Sequence, residues 1–486
     1  MRPFEIIILI ICTVFPLYIF FKKYHIDRKT PLVFIGILLS VHLIFEGYRW
    51  QMVPAYLLIL IFALCIFKNW NFFKGNWFRK IISTIGFLFL LALGWIFPII
   101  FPVFKLPAPT GGYNIGSRYL HIETKNPEII TTDKIDKDDK RELMVKVWYP
   151  AELHGENLEP YLNDGDRVGF AVKYGLPKTT FNYLDHVRTH TYQSPSVAQG
   201  NFPVLIFSHG YYSNASGYYA LLEEIASHGY IILNLNHTYE STGTLFPNGE
   251  IKLYSSAYNI AHNDQKMAEM AWEAAQNYKK AKNKKEQFEG IEQALRDYFA
   301  AEITVRWSKD ISLVIDRLNK WNDTTFLKGH LDLSKIGVFG HSQGGAAAAQ
   351  ALLDDDRIKA GMNLDGAQWG PMVDSKLEKP FALISSDWPS DHPNFNEHAY
   401  HNRSTIDFYE SKILNSGHSN FMDIPLMVNL SIVNEAGTIE PDKAYNLTTE
   451  MVLRFFDKYL QDKSTDLLGL QHDHPNFKVE LMPENK

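Results

Sequence analysis

Four apolar runs fill the first 105 residues of this chain, and they restrict its possible folds more than any other feature of the sequence. They are Ile6–Phe21, Pro31–Phe45, Met52–Phe67 and Ile81–Phe104. A helix needs about 20 residues to cross the hydrocarbon core of a bilayer. The fourth run has that length, and the first three reach it with flanking aromatic residues, which favour the membrane interface. The first run is not expected to be a cleaved signal peptide, because three more apolar runs follow it. We therefore expect a four-helix transmembrane segment over residues 1–105, before a catalytic domain over residues 106–486.

The basic residues between the runs predict an orientation. Eight lie in the first and third connecting loops: Lys22, Lys23, Arg28, Lys29, Lys68, Lys74, Arg79 and Lys80. The opposite side carries three: Arg2, Arg49 and Lys105. Basic loops stay in the cytoplasm. We thus expect a multi-pass cell-membrane protein with an extracytoplasmic soluble domain.

Composition excludes several classes of function. The net charge is −6 and no basic face stands out, so a nucleic-acid partner is not expected. The two cysteines, Cys12 and Cys65, both lie in apolar runs. The soluble part therefore has no disulfide, thiolate metal site or cysteine nucleophile, and we expect neither a metal nor a cofactor. The oligomeric state stays open.

Beyond residue 106, short apolar runs alternate with helical patterns. Strands are predicted at 143–150, 202–210, 230–237, 335–340, 358–365, 380–387 and 411–417, and helices at 216–228, 346–353 and 451–460. Buried strands alternating with helices predict an α/β fold with a mostly parallel sheet. Residues 255–320 break this rhythm and predict a helical insertion, which is a candidate lid or acyl-pocket wall.

The run GHSQGG at 340–345 matches the G-x-S-x-G nucleophile elbow, with Ser342 as the nucleophile. It lies between a predicted strand and an alanine-rich helix, which is the context that a sharp strand-to-helix turn requires. The α/β-hydrolase fold, with the chain order serine, acid, histidine, is therefore predicted.

A nucleophilic serine needs a base and an orienting carboxylate. Of the histidines after Ser342, His418 alone directly follows a predicted strand, so it is the expected base. Two aspartates end predicted strands, Asp365 and Asp387, and the pattern of the residues leaves both open as the acid. The backbone N–H groups of Gln343 and Tyr211 are the expected oxyanion donors.

Three blocks of this sequence resemble one known family. FPVLIFSHGYYSNASGYYALLEEIASHGYIILNLNH, KIGVFGHSQGGAAAAQALLDDDRIKAGMNLDGAQWG and SGHSNFMDIP look like the platelet-activating factor acetylhydrolase family, plasma and type II branch. The likeness covers most of 107–460 and excludes the four apolar runs. Gln343 departs from the family pattern, in which a bulky apolar residue is common.

The resemblance implies metal-free hydrolysis of carboxylic esters on lipids with short or oxidised acyl chains. It implies Ser342 as nucleophile, Asp365 as acid and His418 as base, with oxyanion donors at Tyr211 and Gln343. Two alternatives remain on the same fold. One is a dienelactone-hydrolase-like or polyester-cleaving serine hydrolase, and the other is a catalytically silent surface receptor.

Overall fold

The chain divides into two compact units. The structure, a computed structural model, describes residues 1–21, 29–68, 75–130, 139–389, 392–401 and 403–482. The first unit comprises Met1–Lys105, Thr179–Arg188 and Pro425–Asn434. The second comprises Leu106–Lys178, Thr189–Ile424 and Glu435–Lys486.

The first unit is built on four apolar helices: α1 Pro3–Phe21, α2 Lys29–Phe45, α3 Val53–Phe67 and α4 Trp77–Ile100. Leu9, Leu58 and Phe62 are almost fully buried among them. Two charges are buried here as well: the Arg49 guanidinium donates to the Glu5 carboxylate at 2.5 and 2.6 Å. A buried charge is tolerated when it is paired in this way.

The prediction of a four-helix transmembrane segment is wrong. Among the described residues, two helical stretches are long and apolar enough to cross a membrane, Trp50–Phe67 and Trp77–Ile100. The apolar stretch Pro3–Leu17 within α1 and helix α2, Lys29–Phe45, are shorter. At 1.5 Å per residue, the 17 residues of α2 extend only about 26 Å, less than the roughly 30 Å hydrocarbon core.

The structure describes only some of the basic residues that predict the orientation. The basic residues Lys22, Lys23, Arg28 and Lys74 lie outside the described residues. Lys68, Arg79 and Lys80 flank the connection between the two remaining candidate spans.

The rest of the chain forms a large mixed sheet and a small hairpin. The strands are β1 Asn114–Pro127, β2 Lys140–Glu152, β3 Leu158–Pro160, β4 Arg188–Gln193, β5 Ser196–Val197, β6 Phe202–Ser208, β7 Ile231–Asn236, β8 Gly243–Leu245, β9 Ile251–Leu253, β10 Leu331–His341, β11 Ile358–Leu364, β12 Phe381–Ser385, β13 Phe408–Ile413 and β14 Phe477–Met482. Strands β8 and β9 form the hairpin.

The large sheet has the order β14-β13-β12-β11-β10-β6-β7-β2-β1-β4-β3, with β5 paired to β2. Its centre, from β7 to β13, is parallel. Strands β2 and β14 flank this centre in antiparallel pairing. The predicted α/β-hydrolase-like sheet is confirmed, and its parallel strands bring their carboxyl ends to one edge.

The remaining helices are α5 Asp164–Lys173, α6 Tyr219–Ser227, α7 Ser256–His262, α8 Gln265–Lys280, α9 Lys284–Asp297, α10 Phe299–Thr324, α11 Gln343–Asp354, α12 Ile424–Met427, α13 Ser431–Asn434, α14 Pro441–Gln461 and α15 Leu470–Asp473. The predicted helical insertion corresponds to α7–α10. Side chains of Asp264 and Asn283 cap α8 and α9 by accepting backbone N–H groups. Along α10, Ile303, Trp307 and Ile311 recur at four-residue spacing and are buried, so this helix belongs to the core.

The strand predicted at 411–417 begins and ends earlier, at Phe408–Ile413. Asn415 has a φ of 63°, a left-handed conformation that no strand continues through. The residues beyond Ile413 therefore form the turn that leads to His418. Edge strand β14 was not predicted.

Candidate active site

Ser342 occupies a strained turn between β10 and α11. Its φ is 57° and its ψ is −124°, a conformation that residues with a side chain rarely adopt. A Cβ added at Gly344 would lie 2.1 Å from Ser208 O, and one at Gly345 would lie 2.1 Å from Asn363 Oδ1. Helix α11 thus approaches the neighbouring strands closely enough that only glycine fits at these positions. This packing holds the Ser342 turn at the carboxyl edge of the sheet.

The predicted nucleophile, acid and base line one cavity of about 550 Å³. Ser342 follows β10, Asp365 follows β11 and His418 follows the turn after β13, so the parallel strands bring them together. Gln343 also lines this cavity.

Asp365 is buried and its carboxylate is bound from several sides. His418 Nδ1 donates to Asp365 Oδ2 at 2.7 Å. Ser386 donates through its backbone N and its Oγ, each at 2.7 Å, and Trp388 Nε1 donates at 2.9 Å. These donors leave the carboxylate little freedom to rotate, so it orients the imidazole and places the His418 proton on Nδ1.

Asp387, the other candidate acid, has different partners. Its Oδ2 accepts from Asn415 N at 2.9 Å, and Lys412 Nζ lies 3.9 Å from its Oδ1. Its side chain is 35 % exposed, whereas that of Asp365 is 1 % exposed. The geometry therefore pairs His418 with Asp365, and it gives Asp387 a surface role.

Sequence reasoning missed Ser386 and Trp388, although both are neighbours of Asp387. Alternate residues of an extended chain point to opposite sides. Asp387 bonds the loop before His418, while the residues on either side of it bond Asp365. The alternation of residues 386, 387 and 388 along the extended chain was the sequence signal that could have placed Ser386 and Trp388 on the opposite side from Asp387.

The predicted oxyanion donors are the backbone N–H groups of Tyr211 and Gln343. Among the described residues, the N–H groups of Tyr211 and Gln343 have no protein acceptor. The N–H groups on either side of Tyr211 do have acceptors: Gly210 N donates to Tyr218 Oη at 2.9 Å, and Tyr212 N donates to Glu240 O at 2.9 Å. A Cβ at Gly210 would lie 3.3 Å from Ser342 Cβ, so the turn that carries Tyr211 runs beside the elbow.

A neutral histidine links this turn to the base. Burial, together with the nearby His418, lowers the pKa of His341 well below its usual value. His341 therefore stays uncharged, accepting from Tyr218 Oη through Nδ1 at 2.9 Å and donating from Nε2 to His418 O at 3.1 Å. His341 thus connects the His418 backbone to Tyr218, which in turn binds Gly210.

The helical insertion contributes to the site in two ways. Tyr278, near the end of α8, and Lys284, at the start of α9, line the cavity. The Gln343 side chain donates to Ala300 O at 3.1 Å and to Thr304 Oγ1 at 2.7 Å on α10. The polar residue that departs from the family pattern thus has two acceptors on the insertion.

Within the part of the chain that the structure describes, two groups of histidines and carboxylates have a spacing that could hold a metal ion. They are His121, Glu123 and Glu142, and Glu292, Asp374 and His398. Each group contains a basic partner: Lys252 Nζ lies 2.6 Å from Glu142, and Arg296 binds both Glu292 and Asp374. Neither group includes Ser342, Asp365 or His418, and we interpret both as ion-pair networks.

Comparisons with known proteins agree with this architecture. The family profile of platelet-activating factor acetylhydrolase, isoform II, matches residues 99–473. The chain is 27% identical over 376 residues to the platelet-activating factor acetylhydrolase of Cavia porcellus, covering 74% of this chain and 79% of that protein. It is 25% identical over 392 residues to the enzyme of the same name from Bos taurus, covering 76% and 78%.

A solved structure shares the fold. It is a ferulic acid esterase from Streptomyces cinnamoneus, with a TM-score of 0.60 and 24% sequence identity. The match covers 79% of this chain and 100% of that one.

The glycine packing of the elbow predicts a position-specific loss of stability. Gly344→Ala would force a Cβ against the main chain of β6, and overpacking of this kind costs about 1–3 kcal/mol. Gly112→Ala is the matched control, because a Cβ there meets nothing within 4 Å. Thermal unfolding of the two variants should show a lower melting temperature for the first and an unchanged one for the second. Equal melting temperatures would contradict the close approach of α11.

Proposed function

This chain belongs to the platelet-activating factor acetylhydrolase, isoform II, family and is a carboxylic ester hydrolase, and on that premise we propose that it cleaves its substrate through Ser342, His418 and Asp365. The observation that carries the proposal is the 2.7 Å contact between His418 and Asp365 beside the cavity that Ser342 lines. The nucleophile, base and acid of a serine esterase require this order of contacts.

The proposed mechanism is a two-step acyl transfer. Ser342 Oγ attacks the ester carbonyl carbon while His418 Nε2 takes its proton. The tetrahedral oxyanion accepts hydrogen bonds from the N–H groups of Tyr211 and Gln343. Its collapse breaks the ester bond, and the leaving alcohol takes the proton from His418. Water then attacks the acyl-enzyme carbonyl while His418 takes one of its protons. Collapse of this second intermediate breaks the bond to Ser342 Oγ, which takes the proton back from His418, and releases the carboxylic acid. Asp365 remains ionised and stabilises the imidazolium in both steps.

The proposed substrates are lipids with a short or oxidised acyl chain. The cavity supports this class because Trp369, Trp388 and Phe395 give its lining an aromatic part, while Asn396 and Glu397 add polar groups. A cavity of about 550 Å³ accommodates a short chain with its ester group. A screen of p-nitrophenyl esters by acyl length separates this reading from a polyester-cleaving enzyme. Absence of turnover with every ester would favour the surface receptor.

We further propose that the stretch Trp50–Phe67, which contains α3, and helix α4 anchor the chain in a membrane. Helix α4 exposes large apolar side chains along its length, with Trp77 at 73%, Ile85 at 62% and Phe89 at 61%. A continuous apolar surface of this kind marks contact with lipid or with another protein. Lys68, Arg79 and Lys80 flank the loop between the two helices, which the distribution of positive charge assigns to the cytoplasm. The catalytic residues then lie on the opposite side of the membrane.

Ser342→Ala should abolish covalent labelling by a fluorophosphonate while leaving the protein folded, because the fluorophosphonate reacts with a serine hydroxyl that a neighbouring base activates. Ser411→Ala is the control, since it removes a buried hydroxyl from β13 at a distance from the elbow. In-gel fluorescence reads out both variants. Labelling that persists in Ser342→Ala would identify a different nucleophile. EDTA should leave hydrolysis unchanged, and strong inhibition would contradict the metal-free mechanism.

The two aspartates give a paired test of the acid. Asp365→Asn should reduce kcat on the order of 10⁴-fold, because the imidazole loses its orientation and correct tautomer. Asp387→Asn should reduce it far less, because its contacts are with Asn415 and Lys412. Steady-state kinetics of both purified variants on one short ester decide the matter. The reverse ranking would reject Asp365 as the acid.

Membrane orientation is tested by protease accessibility. Protease added to intact cells should release a soluble fragment that begins near residue 106, while a tag at residue 75 should stay protected. Protection of the catalytic domain with cleavage of the tag would reverse the proposed topology.

A further inference from the structure

A second set of serine, histidine and aspartate side chains lies behind the turn that carries Tyr211. Ser208 Oγ is 2.9 Å from His237 Nε2, and His237 Nδ1 is 2.8 Å from Asp310 Oδ2. We call Ser208, His237 and Asp310 the inner array. Ser208 and His237 are 0% exposed and Asp310 is 3% exposed. None of the three lines the cavity described above, so they do not touch a substrate there.

The protonation of the inner array follows from its neighbours. Burial alone would raise the pKa of Asp310, but the charge of Arg141 and the hydrogen bond from His237 outweigh it and hold that pKa below its usual range. Arg141 donates to both carboxylate oxygens, at 3.2 and 2.6 Å. Burial lowers the pKa of His237, so its ring is neutral. Nδ1–H therefore donates to Asp310, and Nε2 accepts the hydroxyl proton of Ser208.

The inner array is joined to the backbone that precedes Tyr211. Ser208 is the last residue of β6, three positions before Tyr211. His237 N donates to His209 Nε2 at 3.2 Å, and His209 Nδ1 donates to Gly210 O at 2.7 Å. Burial lowers the pKa of His209 to about 3, so this ring is also neutral and its two nitrogens keep these separate roles. Each residue from 208 to 210 thus has a polar contact that fixes it.

Helix α10 reaches both proposed oxyanion donors. On one side it supplies Asp310 to the inner array and Trp307, whose ring stacks on His237 with centroids 3.8 Å apart and an interplanar angle of 5°. The Trp307 ring also lies 6.2 Å from the Tyr211 ring. On the other side, the Thr304 hydroxyl of α10 accepts from the side chain of Gln343.

We infer that Asp310, His237 and Ser208 are positioning residues that hold the Tyr211 N–H in the oxyanion hole, with α10 as their scaffold, an inference that rests on the proposed function. An oxyanion donor must lie about 2.7–3.1 Å from the developing charge, and a displacement of 1 Å can cost about 100-fold in rate. The array acts through the main chain between Ser208 and Tyr211, and no proton leaves it during turnover. Its ionised end at Asp310 fixes the tautomer of His237, which in turn fixes the Ser208 hydroxyl.

Ser208→Ala in the full-length protein is the decisive variant, because it removes one hydroxyl and adds no volume. We expect kcat on a p-nitrophenyl ester to fall about 10- to 100-fold, with KM changed less than about twofold. Asp310→Asn should give a similar loss, and the double variant should lose no more than the larger single one. Ser308→Ala is the matched control, because this buried hydroxyl on α10 bonds Asp354 instead, and its kcat should be unchanged.

Inhibition by a trifluoromethyl ketone separates positioning from a purely structural role. This inhibitor adds to the nucleophilic serine and places an anionic oxygen in the oxyanion hole. Its Ki should rise in Ser208→Ala by the same factor as kcat falls, and stay unchanged in Ser308→Ala. A kcat and a Ki for Ser208→Ala that both stay within about twofold would overturn the inference, even if Asp310→Asn fails to fold. Ser342→Ala that still labels would overturn the proposed function instead, so the two failures are distinguishable.

Discussion

The close packing of helix α11 against the ends of β6 and β11 is the contact on which the rest of the site depends. Asn363, the next-to-last residue of β11, leaves no room for a side chain at Gly345. Its side-chain amide donates to Gly366 O and accepts from Gly366 N. A Cβ at Gly366 would in turn lie 2.1 Å from Ser342 O. The turns that carry Ser342 and Asp365 are therefore packed backbone to backbone, with φ values of 57° and 55°. Main-chain packing, more than any side-chain contact, sets the distance between them.

Behind this edge the protein buries several histidines and ion pairs that bind one another. Three histidines, His209, His237 and His341, are neutral because burial lowers the pKa of each. A neutral imidazole offers one donor and one acceptor, which suits a link between two backbone turns. Several of the buried charges form a network in which Arg141 binds Glu128 and Asp310, while Arg306 binds Glu240. Loss of one member would leave a buried charge unpaired, which is far more destabilising than the pair is stabilising.

The central strands and the elbow could be predicted because their signals are local. Apolar runs mark β6, β7, β10 and β11, and the glycines around Ser342 have no other common use in such a context. The choice between Asp365 and Asp387 was not local. Both follow an apolar strand. Which of them contacts His418 depends on the direction in which each side chain points after its strand, and Asp365 is the one that reaches the ring. Asp310 and His237 are 73 residues apart in sequence, so no spacing pattern joins them. The error over the membrane segment has another cause: apolarity predicted helices at both Pro3–Leu17 and Lys29–Phe45, but these apolar stretches are shorter than a membrane span requires.

The helix pair α8–α9 differs from α10 in what it touches. The pair α8–α9 lends Tyr278 and Lys284 to the cavity wall, whereas α10 contacts the Gln343 side chain and the Tyr211 ring. Mutations in α8 or α9 can therefore reshape the wall while the reacting groups keep their geometry. This freedom is limited to the exposed positions of α8 and α9, because Ile291 and Leu295 of α9 are fully buried in the core. Directed evolution of ester preference in this chain has a natural starting segment at those exposed positions.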